Sequence, residues 1–335
     1  MSRFVSLAAL LVSLAPACTG PTSPKPVDDS GDTDTPVDDT GDTSPPCTIA
    51  IEQHTPTVGA TNVYYRDPLA ITFTESAPLA QLSLLDAGGA PVQVSQRWDE
   101  ARMNVEILPA RPLSASTSYT IVAEFCESRV EIPFSTSSLG TPLSIPATDL
   151  EGRAYLFDMA RAEFLQPPGI GTLIGVYLSE PLLIEFHDIS ASSIRLLGAQ
   201  GYWNDAGELR QYRSLPTWDF GSADFSGSPY FAGATPLITI AYGDIDIPVY
   251  NFSLEGTFTA DGAEVGRARA VGVGDTRYLG PLLGQGDAPE AVCELASGLG
   301  VDCVDCPDGN PWCLDLEIAF DDAAYLEGFD VVRRD

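Results

Sequence analysis

The chain has 335 residues, with 47 acidic against 17 basic side chains and a net charge of −30. A surface this acidic repels phosphate backbones and anionic headgroups, which excludes nucleic acid as a partner and charge-driven adhesion to membranes. Only two histidines are present, too few for a multi-histidine metal centre.

The first predicted element is an export signal. Arg3 precedes an apolar run from Phe4 to Ala15, too short to span a bilayer. Leu14-Ala15-Pro16-Ala17-Cys18 places small residues before a cysteine and resembles the lipobox of bacterial lipoprotein signal peptides. The resemblance implies cleavage after residue 17 and acylation of Cys18, with the lipid anchor as the chain's one contact with a membrane. Thr19 in place of an aspartate implies sorting to the outer membrane. Residues 18–46 then contain a tandem acidic decapeptide, Val27 to Pro36 and Val37 to Pro46, with seven aspartates and no aromatic residue. Such a segment cannot bury enough apolar surface to offset its ordering entropy, so a disordered tether is expected. Charge repulsion and proline extend its 28 residues after Cys18 to about 80 Å.

Residues 47–335 carry fifteen basic and forty acidic side chains, a net of −25. They hold six cysteines, Cys47, Cys126, Cys293, Cys303, Cys306 and Cys313, an even count that reads as three disulfides in an exported chain. Cys47 and Cys126 fall in one module and the last four within another, which divides them into one bridge plus two. Cys303 and Cys306 have the spacing of a zinc knuckle, but Cys293 and Cys313 lie too far out to complete two short-spaced pairs. No metal and no cofactor is expected. The pairing within the last four is left open among three possibilities.

Period-two alternation marks strands at 48–51, 69–74, 82–85, 92–98, 103–108, 117–125 and 129–135, with Ala87-Gly88-Gly89-Ala90 as a hairpin turn. Seven short strands in about ninety residues imply a β-sandwich. Pro56 to Val63, Leu69 to Glu75, Leu108 to Thr120 and Pro133 to Thr136 together resemble the SbsA-type bacterial Ig-like domain. The resemblance, over residues 47–138, implies a spacer or assembly module without catalytic residues. It also places Cys126 where it can reach back to Cys47.

A Pro/Gly-containing linker is expected over 139–147, followed by one further domain over 148–335. Strands are expected there at 173–178, 182–186, 193–197, 237–242, 245–250, 252–258, 266–273 and 313–320, with a helical face over 288–299. The fold class is therefore all-β: an Ig-like sandwich followed by a mainly-β sandwich or irregular barrel, with one short helix and a disulfide-rich C-terminal end.

Within 182–188 the alternation puts Ile184 and Phe186 on one face and Glu185 with His187 on the other, which reads as a solvated strand face. The glycines of 169–175 fit a loop entering a strand, since the spacing is not that of the dinucleotide fingerprint. Asp244 with Asp246, Asp321 with Asp322, and Asp302, Asp305 and Asp308 match no calcium loop and read as acidic surface. Aromatic residues crowd between 202 and 231, where Tyr202, Trp203, Tyr212 and Trp218 are the candidate ligand contacts, because rings on loops anchor sugars and proteins.

The expected function is that of a non-catalytic, lipid-anchored envelope protein whose second domain binds a surface glycan or protein. The alternatives are an exported carbohydrate-active hydrolase using paired carboxylates, and a lipid or small-molecule carrier. Replacing Cys18 with Ser should move the protein from the membrane fraction to the soluble one, as read by fractionation and by mass spectrometry of the N-terminal peptide.

Overall fold

The computed structural model describes residues 47–169, 175 and 178–334. The signal segment, Cys18 and the tether lie outside the described residues, as do the glycine-rich loop and most of the strand expected at 173–178. Residues 47–335 form one compact unit.

The N-terminal part is a sandwich of two sheets. One has the strand order β1 (Ile51–Thr55), β3 (Leu69–Phe73), β7 (Asn104–Pro109), β6 (Val94–Trp98). The other runs β2 (Ala60–Val63), β9 (Ser128–Thr136), β8 (Ser118–Phe125), β4 (Gln81–Asp86), β5 (Pro91–Val92). Alternate residues of the inner strands, Leu69, Ile71 and Phe73 in β3 and Val105 and Ile107 in β7, are fully buried between the sheets. β2, unmarked by alternation in the sequence, pairs in parallel with β9. The hairpin at Asp86 is closed by its own carboxylate, which accepts the backbone N–H groups of Gly88 and Ala90 at 2.9 Å each.

The second part is a closed antiparallel barrel of eight strands: β10 (Ala154–Phe157), β12 (Leu182–His187), β13 (Ser193–Trp203), β15 (Trp218–Asp224), β16 (Tyr230–Tyr242), β17 (Ile245–Phe258), β18 (Glu264–Asp275) and β19 (Cys313–Tyr325). Closure comes from β10, which pairs with β12 on one side and with β19 on the other, through Tyr155 against Tyr325 and Leu156 against Ala324. Two short strands lie off the cycle: β11 (Glu163–Gln166) on β19 and β14 (Leu209–Gln211) on β13.

A barrel of this size encloses space that side chains alone can fill, and here they do. Tyr155, Phe186, Phe231 and Phe258 meet at its centre, with ring centroids 4.9–5.6 Å apart in the contacting pairs. Glycine recurs where a strand leaves no room for a side chain: a Cβ at Gly256 would stand 2.6 Å from Val265.

One end of the barrel is capped by residues 276–312, which include the helix α1 (Ala291–Gly298). The bridges Cys293–Cys303 and Cys306–Cys313 tie this cap to itself and to the start of β19. The third bridge, Cys47–Cys126, closes the sandwich at its far pole. All six cysteines are thus disulfide-bonded, as their even count implied.

The opposite end of the barrel meets the sandwich. The Tyr64 hydroxyl hydrogen-bonds Thr257 Oγ1 at 2.6 Å in a buried contact, Arg66 stacks 3.5 Å above the Tyr230 ring, and Arg267 grips both oxygens of Asp67 at 2.7 and 2.9 Å. The stretch from 139 to 147 is docked, not loose. Leu139 fills the space over Gly266, Leu143 and Ile145 pack on the barrel core, and Ser144 donates to the Ala260 carbonyl.

Because Thr257 is fully buried, Tyr64→Phe leaves its hydroxyl without a partner. The expected loss is about 1–3 kcal/mol in overall stability, read from the urea midpoint, since a buried polar group deprived of its partner retains its desolvation cost.

Candidate functional site

Beyond the barrel rim, β13 continues as a hairpin with β14. Tyr202 stands directly across from Arg210 and Trp203 from Leu209. Asn204 shapes the turn by accepting the backbone N–H groups of Ala206 and Glu208, and Gly207 supplies its positive φ of 73°. Tyr212, whose N–H is held by the Gln200 carbonyl, brings its ring to 4.4 Å from that of Tyr202, tilted by 34°. Burial raises the Tyr212 hydroxyl above its ordinary range, with the Glu180 charge adding to the effect.

The opposite wall is the C-terminal tail, which runs back along the outer face of the barrel. Gln211 holds Val332 by both its backbone N–H and its carbonyl at 2.8 Å. Thr217 does the same for Arg334, and Arg333 reaches Asp219 at 2.7 Å. Beneath the tail, Val331 and Phe329 cover Ala154, Leu183, Leu197 and Ala199, so the outward face of β12 and β13 is a second, smaller core. Between tail and hairpin lies an open groove of about 820 Å³, lined by Tyr202, Arg210, Tyr212, Arg213, Phe329 and Asp330 among others.

Two of the four predicted ligand contacts, Tyr202 and Tyr212, thus come together in one groove. Trp203 is 51 % exposed and, one residue on, faces away from Tyr202. Trp218 requires a correction: it is 5 % exposed, begins β15, and packs inward with Phe220 over Gly198. It is a core residue, and so are Phe220, Phe225 and Phe231. Among the described residues its indole N–H is the one buried side-chain polar atom without a hydrogen-bond partner.

The solvated face expected at Glu185 and His187 is also corrected. Glu185 is 5 % exposed because the tail lies over it; its carboxylate accepts the Val331 N–H and meets His187 Nε2 at 2.7 Å. Glu151 stands 3.6 Å from His187 Nδ1 and accepts the N–H groups of Asp188 and Ile189. These carboxylates are engaged in holding the chain, and Glu185 seats the tail that walls the groove.

Asp275, fully buried, is held by Arg277, which also binds Asp308 at 2.6 Å. Asp275 lies near Cys306 and Cys313, but their sulfurs are joined to each other and offer no thiolate. Asp244, Asp246 and Asp287 line a separate open cleft of about 780 Å³ beside the cap. Under α1 an apolar void of about 60 Å³ is walled chiefly by leucines.

Burial raises the pKa of Glu185, against the opposing pull of the Val331 N–H and of His187. The native state therefore keeps a proton that the unfolded chain has already released. Its contribution to stability is complete below the ordinary carboxylate pKa and is lost as pH rises through the raised one. Urea midpoints measured from pH 4 to 8 should fall less steeply in Glu185→Gln than in the parent.

No curated protein matches this chain. Among solved structures, the surface-layer protein SbsC, domains 1–6, is 10 % identical over 82 % of this chain and 51 % of its own, with a TM-score of 0.21. The titin domains I67–I69 are 9 % identical over 67 % of this chain and 93 % of theirs, at 0.20. L,D-transpeptidase 3 from Mycobacterium tuberculosis is 15 % identical over 26 % of this chain, at 0.20; the match spans 37 % of that protein. Residues 42–124 match the model of the bacterial Ig-like domain family, and the sandwich continues beyond that match through β9, whose strand completes its second sheet.

Proposed function

We propose that this is a non-catalytic cell-envelope protein in which the Ig-like sandwich carries a barrel whose outer groove binds a surface glycan or protein. The observation that carries the reading is the close pair Tyr202–Tyr212 at the mouth of a groove of about 820 Å³. Aromatic rings held by strands offer large contact area with few rotors to freeze, the property that makes them binding anchors. The hairpin of β13 and β14 that carries Tyr202, with Tyr212 just after it, extends from the capped end of the barrel, away from the sandwich.

The export signal and Cys18 place the protein, in this reading, outside the cytoplasm and on the outer membrane through its lipid. The two alternatives find less support. A carrier needs an internal cavity, whereas the barrel is filled by Tyr155, Phe186, Phe231 and Phe258, and the void under α1 measures about 60 Å³. A carboxylate hydrolase needs two acids facing one site; Asp330 is the one carboxylate among the described residues lining the groove, and the cleft that gathers Asp244, Asp246 and Asp287 lies apart from the Tyr202–Tyr212 pair.

The double variant Tyr202→Ala, Tyr212→Ala should lose at least tenfold in binding on an array of bacterial surface glycans and proteins while keeping its urea midpoint within experimental error. Binding that survives the double variant would overturn the groove assignment, and release of cleaved product from a bound glycan would overturn the non-catalytic reading.

A further inference from the structure

The groove reading leaves the chemistry of the ligand open, and the distribution of charge narrows it. Residues 47–335 contain fifteen arginines and no lysine against forty acidic side chains. Most of the arginines are committed: Arg97, Arg129, Arg161, Arg195, Arg267, Arg269 and Arg277 sit in ion pairs, and Arg66, Arg102 and Arg153 lie over aromatic rings. The corner where the hairpin meets the tail differs. Arg213 lines the groove and, among the described residues, has no side-chain partner. Arg210 also lines it, and its one ion pair is with Glu208 of the same hairpin, in which both side chains are more than half exposed. An exposed pair of this kind contributes little and yields readily to a better acceptor. Arg333 and Arg334, on the tail itself, do not line the groove, and Arg333 is bound to Asp219 at 2.7 Å. Arg210 and Arg213 therefore present two little-committed guanidiniums of an otherwise acidic body to one groove, with Asp330 the sole carboxylate among the described residues that line it.

Resting on the groove reading, we propose that the ligand is an acidic polysaccharide whose uronic-acid carboxylates are held by Arg210 and Arg213 while its ring faces lie on Tyr202 and Tyr212. Guanidinium binds carboxylate in a planar fork, and a charge-assisted bond of this type is stronger than a neutral one. An extended peptide fits less well, because it needs a free main-chain edge to pair with. Here β14 is paired to β13 along one side, and the edge it leaves is only three residues long, ending where the Gln211 side chain turns to Val332. What remains open is ring face and guanidinium, the two features a carboxylated sugar uses.

The test is calorimetric titration of the full chain with three probes: a galacturonic acid hexamer, its fully methyl-esterified form, and poly-L-glutamate of similar charge. The hexamer should bind at least tenfold more tightly than the ester and than poly-L-glutamate. Its affinity should fall with added NaCl, and Arg213→Ala and Arg213→Gln should each lower it at least tenfold at an unchanged urea midpoint. Equal binding of hexamer and ester, with both Arg213 variants unaffected, would overturn the acidic-glycan assignment while leaving the groove reading intact. Preference for poly-L-glutamate would overturn it in favour of an acidic protein partner. Hexamer binding that the Tyr202→Ala, Tyr212→Ala double variant does not weaken would overturn the groove reading itself, and absence of binding by any probe would overturn the acidic-ligand proposal.

Discussion

The filled interior of the barrel governs everything else in this molecule. Four aromatic rings meet at its centre, where an eight-stranded barrel has room for side chains or for one small ligand but not for both. The sandwich occupies one end and the disulfide-tied cap the other. Concave surface is thereby displaced to the outer wall, where a strand face is ordinarily flat. The hairpin that overshoots the rim and the tail that returns along it supply the missing relief.

That relief depends on placing polar groups where burial is costly. Glu185 and Gln211 are 5 % and 8 % exposed, and both use their side chains to satisfy backbone atoms of the tail. A buried polar group deprived of such a partner would cost about 1–3 kcal/mol. The tail is therefore seated at defined points along its length, and the groove wall it forms is as well positioned as the strands facing it.

Much of the architecture was legible because period-two alternation survives wherever one sheet face is buried, as in Leu69, Ile71 and Phe73. It failed where strands were short or bent. β2, β10, β11 and β14 have three or four residues each, too few to establish a period. β17 read as two strands because Asn251, at a φ of +49°, interrupts its pairing with β18 between Tyr250 and Ser253. Trp218 and Phe220 alternate within β15, but the short strand was hidden among glycine and aspartate, and so a core residue passed as a surface one. The groove was half visible: its tyrosines stand out by composition. The opposite wall arrives from 121 residues further along the chain, through the pairing of Gln211 with Val332, and no local pattern announces it.

The sandwich has a mechanical property that follows from where its bridge lies. Cys47 precedes β1, an edge strand that pairs with β3 alone, and Cys126 occupies the turn between β8 and β9. Traction applied to the chain ahead of Cys47 would otherwise peel β1 away rung by rung. The bridge diverts that load into β8, which is hydrogen-bonded on both edges, and the 79-residue span it closes cannot pay out as slack. A sandwich built in this way keeps its length under tension: its two sheets stay in register while the chain ahead of Cys47 is pulled.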